Sequence, residues 1–265
     1  MLEIINDVIT ALNKVGKRFY SIEDFYFKNG EIVNGGNFRH LELRFMHEFS
    51  AQFSRGFEDN SAYQKLEYDF EIPKKFIWSE TANIAISTTY EQLQHKRGHD
   101  KSDLDYLTTI PDFLVHAGQH DKKTENQKLI IEAKLNPRTP KCEVFKDIFH
   151  TFIYSNEYEF QCSIMLLVHF NKERWIKLLT EYIKAGYYSG SSENTKKIFV
   201  IFKGSYDEKA EFFSLHELLY APLCPVCQEI MLIKMATQGF NAGNNFWGCR
   251  RFPDCTGSRP LKKDY

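Results

Sequence analysis

Apolar residues recur along the chain with two periods, and the changes of period mark the elements. Leu2, Ile5, Val8, Ile9, Leu12 and Val15 fall at helical spacing and stop at Gly16, predicting an amphipathic helix over 2–15. Residues 19–33 are rich in aromatics and contain Asn29-Gly30, a hairpin signal. Asn34-Gly35-Gly36-Asn37 breaks the chain. A second helix is predicted over 38–55, with Glu42, Phe45, Met46, Phe49 and Phe53 on one face. Lys65–Ile72 alternates as a strand and halts at Pro73, and 76–93 reads as a short strand followed by a helix. Two apolar runs, Ile110–Val115 and Leu129–Lys134, predict strands joined by a long polar connection. Beyond the stiff Asn136-Pro137-Arg138-Thr139-Pro140 break come a helix over 143–157 and a continuous apolar strand over 162–170. A helix over 172–185 ends at Gly186, followed by a strand over 197–202 and a short helix over 212–220.

The two central strands carry the first candidate chemistry. Asp112 stands at the start of one, and Glu132 and Lys134 near the end of the other. Glu132 and Lys134 are two apart and share a face of the pleat. Antiparallel pairing of the runs brings Asp112 to them. Two carboxylates suit Mg²⁺, which takes one or two acids and keeps several waters. A metal-bound water beside Lys134 is equipped to attack a phosphodiester. Glu42 is an acid on an apolar helix face, which needs a reason: a functional role, for which Glu48 competes from one face away, or a place at the edge of the stripe where water solvates it. Lys146, His150 and Tyr154 recur every four residues on the helix after the break, and read as a solvated face. The same reading is given to the charged stretch His95-Lys96-Arg97-Gly98-His99-Asp100-Lys101, whose alternative is contact with a phosphate backbone.

Pro111-Asp112 followed, after 19 residues, by Glu132-Ala133-Lys134 resembles the PD-(D/E)XK nuclease superfamily, which includes restriction endonucleases and DNA-repair nucleases. The resemblance covers about residues 38–170. It implies an α/β fold with a restriction endonuclease-like αβββαβ core and a mixed sheet. It further implies Asp112 and Glu132 as Mg²⁺ ligands, Lys134 as the residue that orients or activates water, and Glu42 as an additional metal-associated acid. The implied activity is Mg²⁺-dependent cleavage of DNA, in restriction or another anti-phage defence role. The alternatives are a DNA-binding module without activity, and a nuclease subunit of a larger complex. No phosphate-binding loop of the Gly-x-x-x-x-Gly-Lys type is present, so a helicase or ATPase would be a separate partner.

The tail holds a second motif. Cys224-Pro225-Val226-Cys227 and Cys249 to Cys255 give C-x₂-C and C-x₅-C pairs separated by 21 residues. Four thiolates on two knuckles predict a tetrahedral structural Zn²⁺ site. Together with Phe246-Trp247-Gly248 and Phe252-Pro253-Asp254, the pairs resemble the C4 zinc ribbon of bacterial type I topoisomerases. That resemblance implies DNA binding, with Phe246, Trp247 and Phe252 stacking on bases and Arg250 and Arg251 meeting phosphates. A purely structural knob is the alternative.

Composition alters this picture only at the edges. The chain of 265 residues has room for one large domain and a small module, expected as an extension over 1–37, a nuclease-like domain over 38–220 and the ribbon over 221–265. Net charge is −1, so no global attraction to nucleic acid exists, but residues 221–265 carry +3 and the remainder −4. Of six cysteines, Cys142 and Cys162 lie outside the metal pattern and are expected as free thiols. No apolar run reaches a membrane-spanning length, and the first residues do not look like a secretion signal, so the cytoplasm is the expected compartment. Self-association into a homo-oligomer is compatible with the sequence.

Overall fold

A computed structural model describes residues 2–21, 25–34, 38–58, 60, 63–70, 74–77, 84–98, 106–117 and 123–261. The chain forms two compact units, Met1–Phe212 and Phe213–Tyr265.

Unit one begins with helix α1 (Leu2–Lys14), the hairpin β1 (Phe25–Lys28) and β2 (Glu31–Asn34), and helix α2 (Phe38–Phe57). The hairpin turns at Asn29 and Gly30, with φ of 53° and 82°. Both are left-handed, as a two-residue turn matching strand twist requires. Strand β3 (Glu67–Asp69) follows, then β4 (Lys74–Ile77), helix α3 (Ile84–Lys96), β5 (Tyr106–Thr109), β6 (Phe113–His116) and β7 (Gln127–Lys134). Helix α4 (Lys141–Asn156), β8 (Cys162–Val168), helix α5 (Lys172–Lys184), β9 (Ile198–Lys203) and β10 (Glu211–Ser214) complete the order.

The principal sheet is six-stranded, in the order β10-β9-β8-β7-β6-β3. β3 pairs antiparallel with β6 and β6 with β7, whereas β8 is parallel to β7 and β9 to β8, so the sheet is mixed. Along the sheet-forming elements the order is α2, β3, β6, β7, α4, β8, with β4, α3 and β5 inserted after β3. β4 and β5 pair with each other in a separate two-stranded sheet.

Alternation in β6, β7 and β8 decides which helix meets which face. Phe113, Val115, Leu129, Ile131, Ala133, Ile164 and Leu166 point to one side, in a core shared with Ile5, Val8 and Leu12 of α1 and Phe45, Phe49 and Phe53 of α2. Edge-to-face rings close it, with Phe49 and Phe53 centred 5.6 and 5.3 Å from Phe113. α1 therefore shares the core of the domain that the sequence set apart from residues 1–37. The other side of β7, bearing Glu132 and Lys134, faces α4. β8 is buried at every position, as a parallel strand covered on both faces must be. Arg174 of α5 donates to the carbonyls of Pro137 and Thr139, fixing the link from β7 into α4.

Several local expectations change. β5 was not foreseen. Part of the strand expected over 65–72 and the loop residues 99–105 lie outside the described residues. The helix expected over 212–220 is β10 followed by helix α6 (Leu215–Tyr220). Ser214 ends the strand and starts the helix through a capping box: its Oγ accepts from Glu217 N at 3.1 Å, and its own N–H donates to Glu217 Oε2 at 2.7 Å.

Unit two carries α6 and a three-stranded antiparallel sheet of β11 (Met231–Met235), β12 (Asn245–Cys249) and β13 (Ser258–Pro260). Its core is small: Cys224, Met231, Trp247, Cys249 and Cys255.

Candidate active site and cysteine cluster

β6 begins at Phe113 because Asp112 takes over the ladder with its side chain. Phe113 pairs with Ile131, and one step back the Asp112 N–H donates to Ile131 O at 3.1 Å. The Asp112 carboxylate then accepts from Ala133 N at 2.6 Å. That anchor holds Asp112 beside Glu132. Glu132 is buried and accepts from the Tyr154 hydroxyl at 2.6 Å, with His150 Nδ1 at 3.8 Å from the same oxygen. The Lys134 ammonium lies 3.1 Å from Glu42 Oε1, 2.9 Å from Ala133 O and 3.6 Å from Asp147 Oδ2.

The structure thus brings together Asp112, Glu132, Lys134 and Glu42, from β6, β7 and α2. Glu42 meets Lys134 with one oxygen and the backbone N–H of Leu135 with the other, at 3.1 Å each. It is committed to the lysine and the end of β7. Glu48 lies elsewhere, accepting from Gln52 on its own helix.

Helix α4 corrects the sequence reading. Lys146, His150 and Tyr154 are not a solvated face: His150 and Tyr154 are buried against Glu132, and Lys146 is three-quarters buried. Asp147 was missed altogether. It has no exposed surface, and its two oxygens lie 3.0 Å from Lys146 Nζ and 3.6 Å from Lys134 Nζ. Neither oxygen has an aligned hydrogen-bond donor among the described residues, so the attraction is one of charge. The signal that finds Asp147 is the one applied to Glu42, an acid flanked, apart from Lys146, by apolar helix residues (Val144, Phe145, Ile148, Phe149). Arg97, part of the charged stretch read as solvated, pairs with Glu143 at 2.6 Å.

Burial and crowding shift these groups apart. Burial, then the Glu132 charge, push the Asp112 carboxyl well above its ordinary range, against the pull of Lys134. Burial and then Asp147 raise Glu132 to about 7. Burial also opposes the charge on Asp147, but Lys134 and Lys146 outweigh it and hold that carboxyl below its usual value. Burial alone would lower Lys134, yet Asp147, Glu42, Asp112 and Glu132 raise it well above the ordinary lysine value. His150 is depressed to about 3, first by burial and then by Lys146, and stays a neutral imidazole. Four acids, Asp112, Glu132, Glu42 and Asp147, thus face two ammonium groups, Lys134 and Lys146. With all four acids ionised the cluster would be two positive charges short; the raised Asp112 and Glu132 make up that difference by holding protons, and one divalent cation would supply the same charge.

In unit two, Cys224, Cys227, Cys249 and Cys255 place their sulfurs within 4.8 Å of one another. Cys224 and Cys255 are 3.7 Å apart and Cys227 and Cys249 3.5 Å apart. A tetrahedron with Zn–S bonds of about 2.3 Å has sulfur–sulfur edges of about 3.8 Å, so the spacing fits that ion. Backbone N–H groups of Val226 and Arg251 approach the Cys224 and Cys249 sulfurs at 3.4 Å each, the arrangement that stabilises thiolate ligands. A Cβ at Gly257 would collide with the Cys224 sulfur, so the turn there demands glycine. Among the described residues these cysteines are the one set of three or more potential ligands whose donor atoms converge, so Asp112 and Glu132 stand as a pair. The two remaining cysteines, Cys142 and Cys162, are unpaired thiols.

The residues expected to meet DNA divide. Trp247 is largely buried against the cysteines, and what it exposes lines a pocket with His216, Tyr220 and Leu232. The Arg250 guanidinium sits 4.1 Å from the Phe213 ring centre. Arg251 and Phe252 are exposed, and Phe246 is half-buried. Phe246 lines a groove of about 900 Å³ with the fully exposed Phe240, Gln238, Asn244 and Arg259. Among the described residues no helix is long and apolar enough to cross a membrane. Comparison with protein-family models, curated proteins and solved structures finds no match for this chain.

Proposed function

We propose that the chain is a Mg²⁺-dependent DNA endonuclease whose C-terminal zinc ribbon holds the nucleic acid. The observation that carries the reading is the buried carboxylate pair Asp112 and Glu132, in a cluster where four acids meet two ammonium groups and ionisation of the pair is opposed by burial and like charge. Buried like charges at one strand edge are costly without a cation. The pair fits a hard ion that takes one or two carboxylates and keeps its waters. The order α2, β3, β6, β7, α4, β8 supports a PD-(D/E)XK relationship, in which Pro111-Asp112 and Glu132-Ala133-Lys134 are the signature residues.

Bound there, Mg²⁺ would polarise the phosphodiester and make a coordinated water more acidic. The protein's own groups do the rest. Asp112 and Glu132 would hold the ion, Asp112 fixed by the Ala133 N–H and Glu132 by the Tyr154 hydroxyl. Lys134, kept charged by the acids around it, offsets the charge gathering on the phosphoryl oxygens and orients the attacking water. Glu42 fixes Lys134 from the α2 side. Zn²⁺ on the four cysteines shapes the ribbon, whose exposed Phe240, Arg251, Phe252 and Arg259 suit stacking and phosphate contact. A role in restriction or anti-phage defence, alone or with a helicase or ATPase partner, follows from analogy with that superfamily.

The test is incubation of the purified protein with plasmid DNA in Mg²⁺ or EDTA. Mg²⁺-dependent nicking or linearisation that Glu132→Gln removes is the expected result. DNA binding without cleavage would favour the non-enzymatic alternative.

A further inference from the structure

The four acids of the cluster do not do the same work. Asp112 and Glu132 sit side by side, where β6 and β7 meet. Glu42 binds Lys134 from the α2 side. Asp147 stands between two lysines, 3.6 Å from Lys134 and 3.0 Å from Lys146, with its side chain wholly buried. A buried carboxylate with no aligned hydrogen bond is expensive to keep. It persists here because two ammonium groups flank it. Lys146 is partly exposed and reaches Asp147 from its own helix, with Glu143 at 3.8 Å on its other side. Lys134 is on β7, and across from α2 Asp147 is the acid nearest its ammonium group.

We infer that Asp147 is a positioning residue: with Glu42 opposite, it suspends the Lys134 ammonium between α2 and α4 and holds it at the Asp112–Glu132 pair. Without Asp147, the ammonium loses its contact on the α4 side and keeps Glu42, the Ala133 carbonyl and the attraction of Asp112 and Glu132. The inference rests on the nuclease reading for its catalytic consequence, but not for the geometry. The competing account is that Asp147 merely neutralises Lys146 within the fold.

Two variants separate these accounts. Asp147→Asn keeps the shape and removes the charge. Asp147→Asn combined with Lys146→Met also removes the three-quarters-buried ammonium that would otherwise keep only Glu143 at 3.8 Å, and is the variant to measure should the single one not fold. The inference expects both to cut plasmid DNA at least about 10-fold more slowly at saturating DNA, because a misplaced catalytic group costs kcat. KM for DNA and the Mg²⁺ concentration for half-maximal rate should stay within about twofold, since neither Asp147 nor Lys146 is assigned as a metal ligand.

A readout independent of activity is acylation of Lys134 by a small amine-reactive ester, followed by mass spectrometry. Lys134 should label about 10-fold faster in both variants than in the wild type, because local release of a held ammonium exposes it. Lys203, buried elsewhere against the carbonyls of Tyr206 and Glu208, should label unchanged and so reports intact folding. A double variant with wild-type rate and wild-type Lys134 labelling would overturn the inference and leave Asp147 as a counter-charge for Lys146. If the wild type does not cleave DNA at all, the nuclease reading fails, and the labelling alone decides whether Asp147 holds Lys134.

Discussion

The two units are held together in opposite ways. The α/β unit has a continuous apolar core spanning two helices and one whole face of a six-stranded sheet, and it sets a costly charged cluster against the other face. The ribbon has hardly any core: three of its four cysteines join Met231 and Trp247 in it, and Cys227 packs against them half-buried. A large core stores enough stability to carry strain at a site, whereas a small one must recruit a metal to fold at all. On the proposed reading, the first unit would use a metal for charge and chemistry and the second for structure.

The largest expected effect breaks the comparison on the ribbon side. Cys249→Ser should abolish binding of the single Zn²⁺ and unfold unit two, because structural zinc contributes on the order of 10 kcal/mol. Elemental analysis with hydrogen exchange read separately over the two units would check it, with protection in Leu129–Lys134 retained. A metal-free tail with native protection would make the ribbon an ordinary core.

On the other side the expected effect is functional rather than structural. Glu132→Gln keeps the neighbour of Tyr154 and removes one buried charge. Cleavage should fall on the order of 10³-fold, while the melting temperature in EDTA stays level or rises. A variant that melts well below the wild type would mean the carboxylate is there for stability.

A pH series sharpens the same contrast. Glu132 is raised from 4.5 to about 7, so between those values the folded state binds more protons than the unfolded one. Its contribution to stability is therefore greatest below pH 4.5 and declines as pH rises to about 7. The metal-free α/β unit should lose several degrees of melting temperature across that window, and Mg²⁺ should restore more of it at pH 8 than at pH 5. A Mg²⁺ effect equal at both pH values would count against ligation by this pair.

The smallest effects concern DNA. Removing residues 221–265 should weaken binding and flatten its salt dependence, and Phe240→Ala alone should cost single-strand affinity about fivefold, near the lower end for one stacked base. Equal affinity of the truncated protein at every salt concentration would assign the ribbon another task, such as docking a partner.

How much of this was legible beforehand depends on sequence distance. Cys224, Cys227, Cys249 and Cys255 are read directly, because short knuckles fix their ligands locally. Glu132 and Lys134 were placed on one face by the strand period, and the register Phe113 to Ile131 brings Asp112 to them as antiparallel pairing requires. Glu42 could be singled out from Glu48 only as an acid on an apolar stripe, and nothing in the sequence said that its partner would be Lys134 and the Leu135 N–H.

α4 shows where sequence alone stopped. It is buried from Val144 to Ser155 except at Lys146, so its apolar period names no outward face, and the polar residues were assigned to solvent by default. The direction of Asp147, His150 and Tyr154 is decided by the β7 surface on which the helix lies, and that surface is set by a parallel crossover through β8. Trp247 is the mirror case, an aromatic beside basic residues that the ribbon's small core claims for itself. The elements, the paired strands and the converging cysteines follow from local period and spacing. The six-residue charged cluster exists only once α2, β6, β7 and α4 have packed, because a charge is felt across a few ångströms of space and not along the chain.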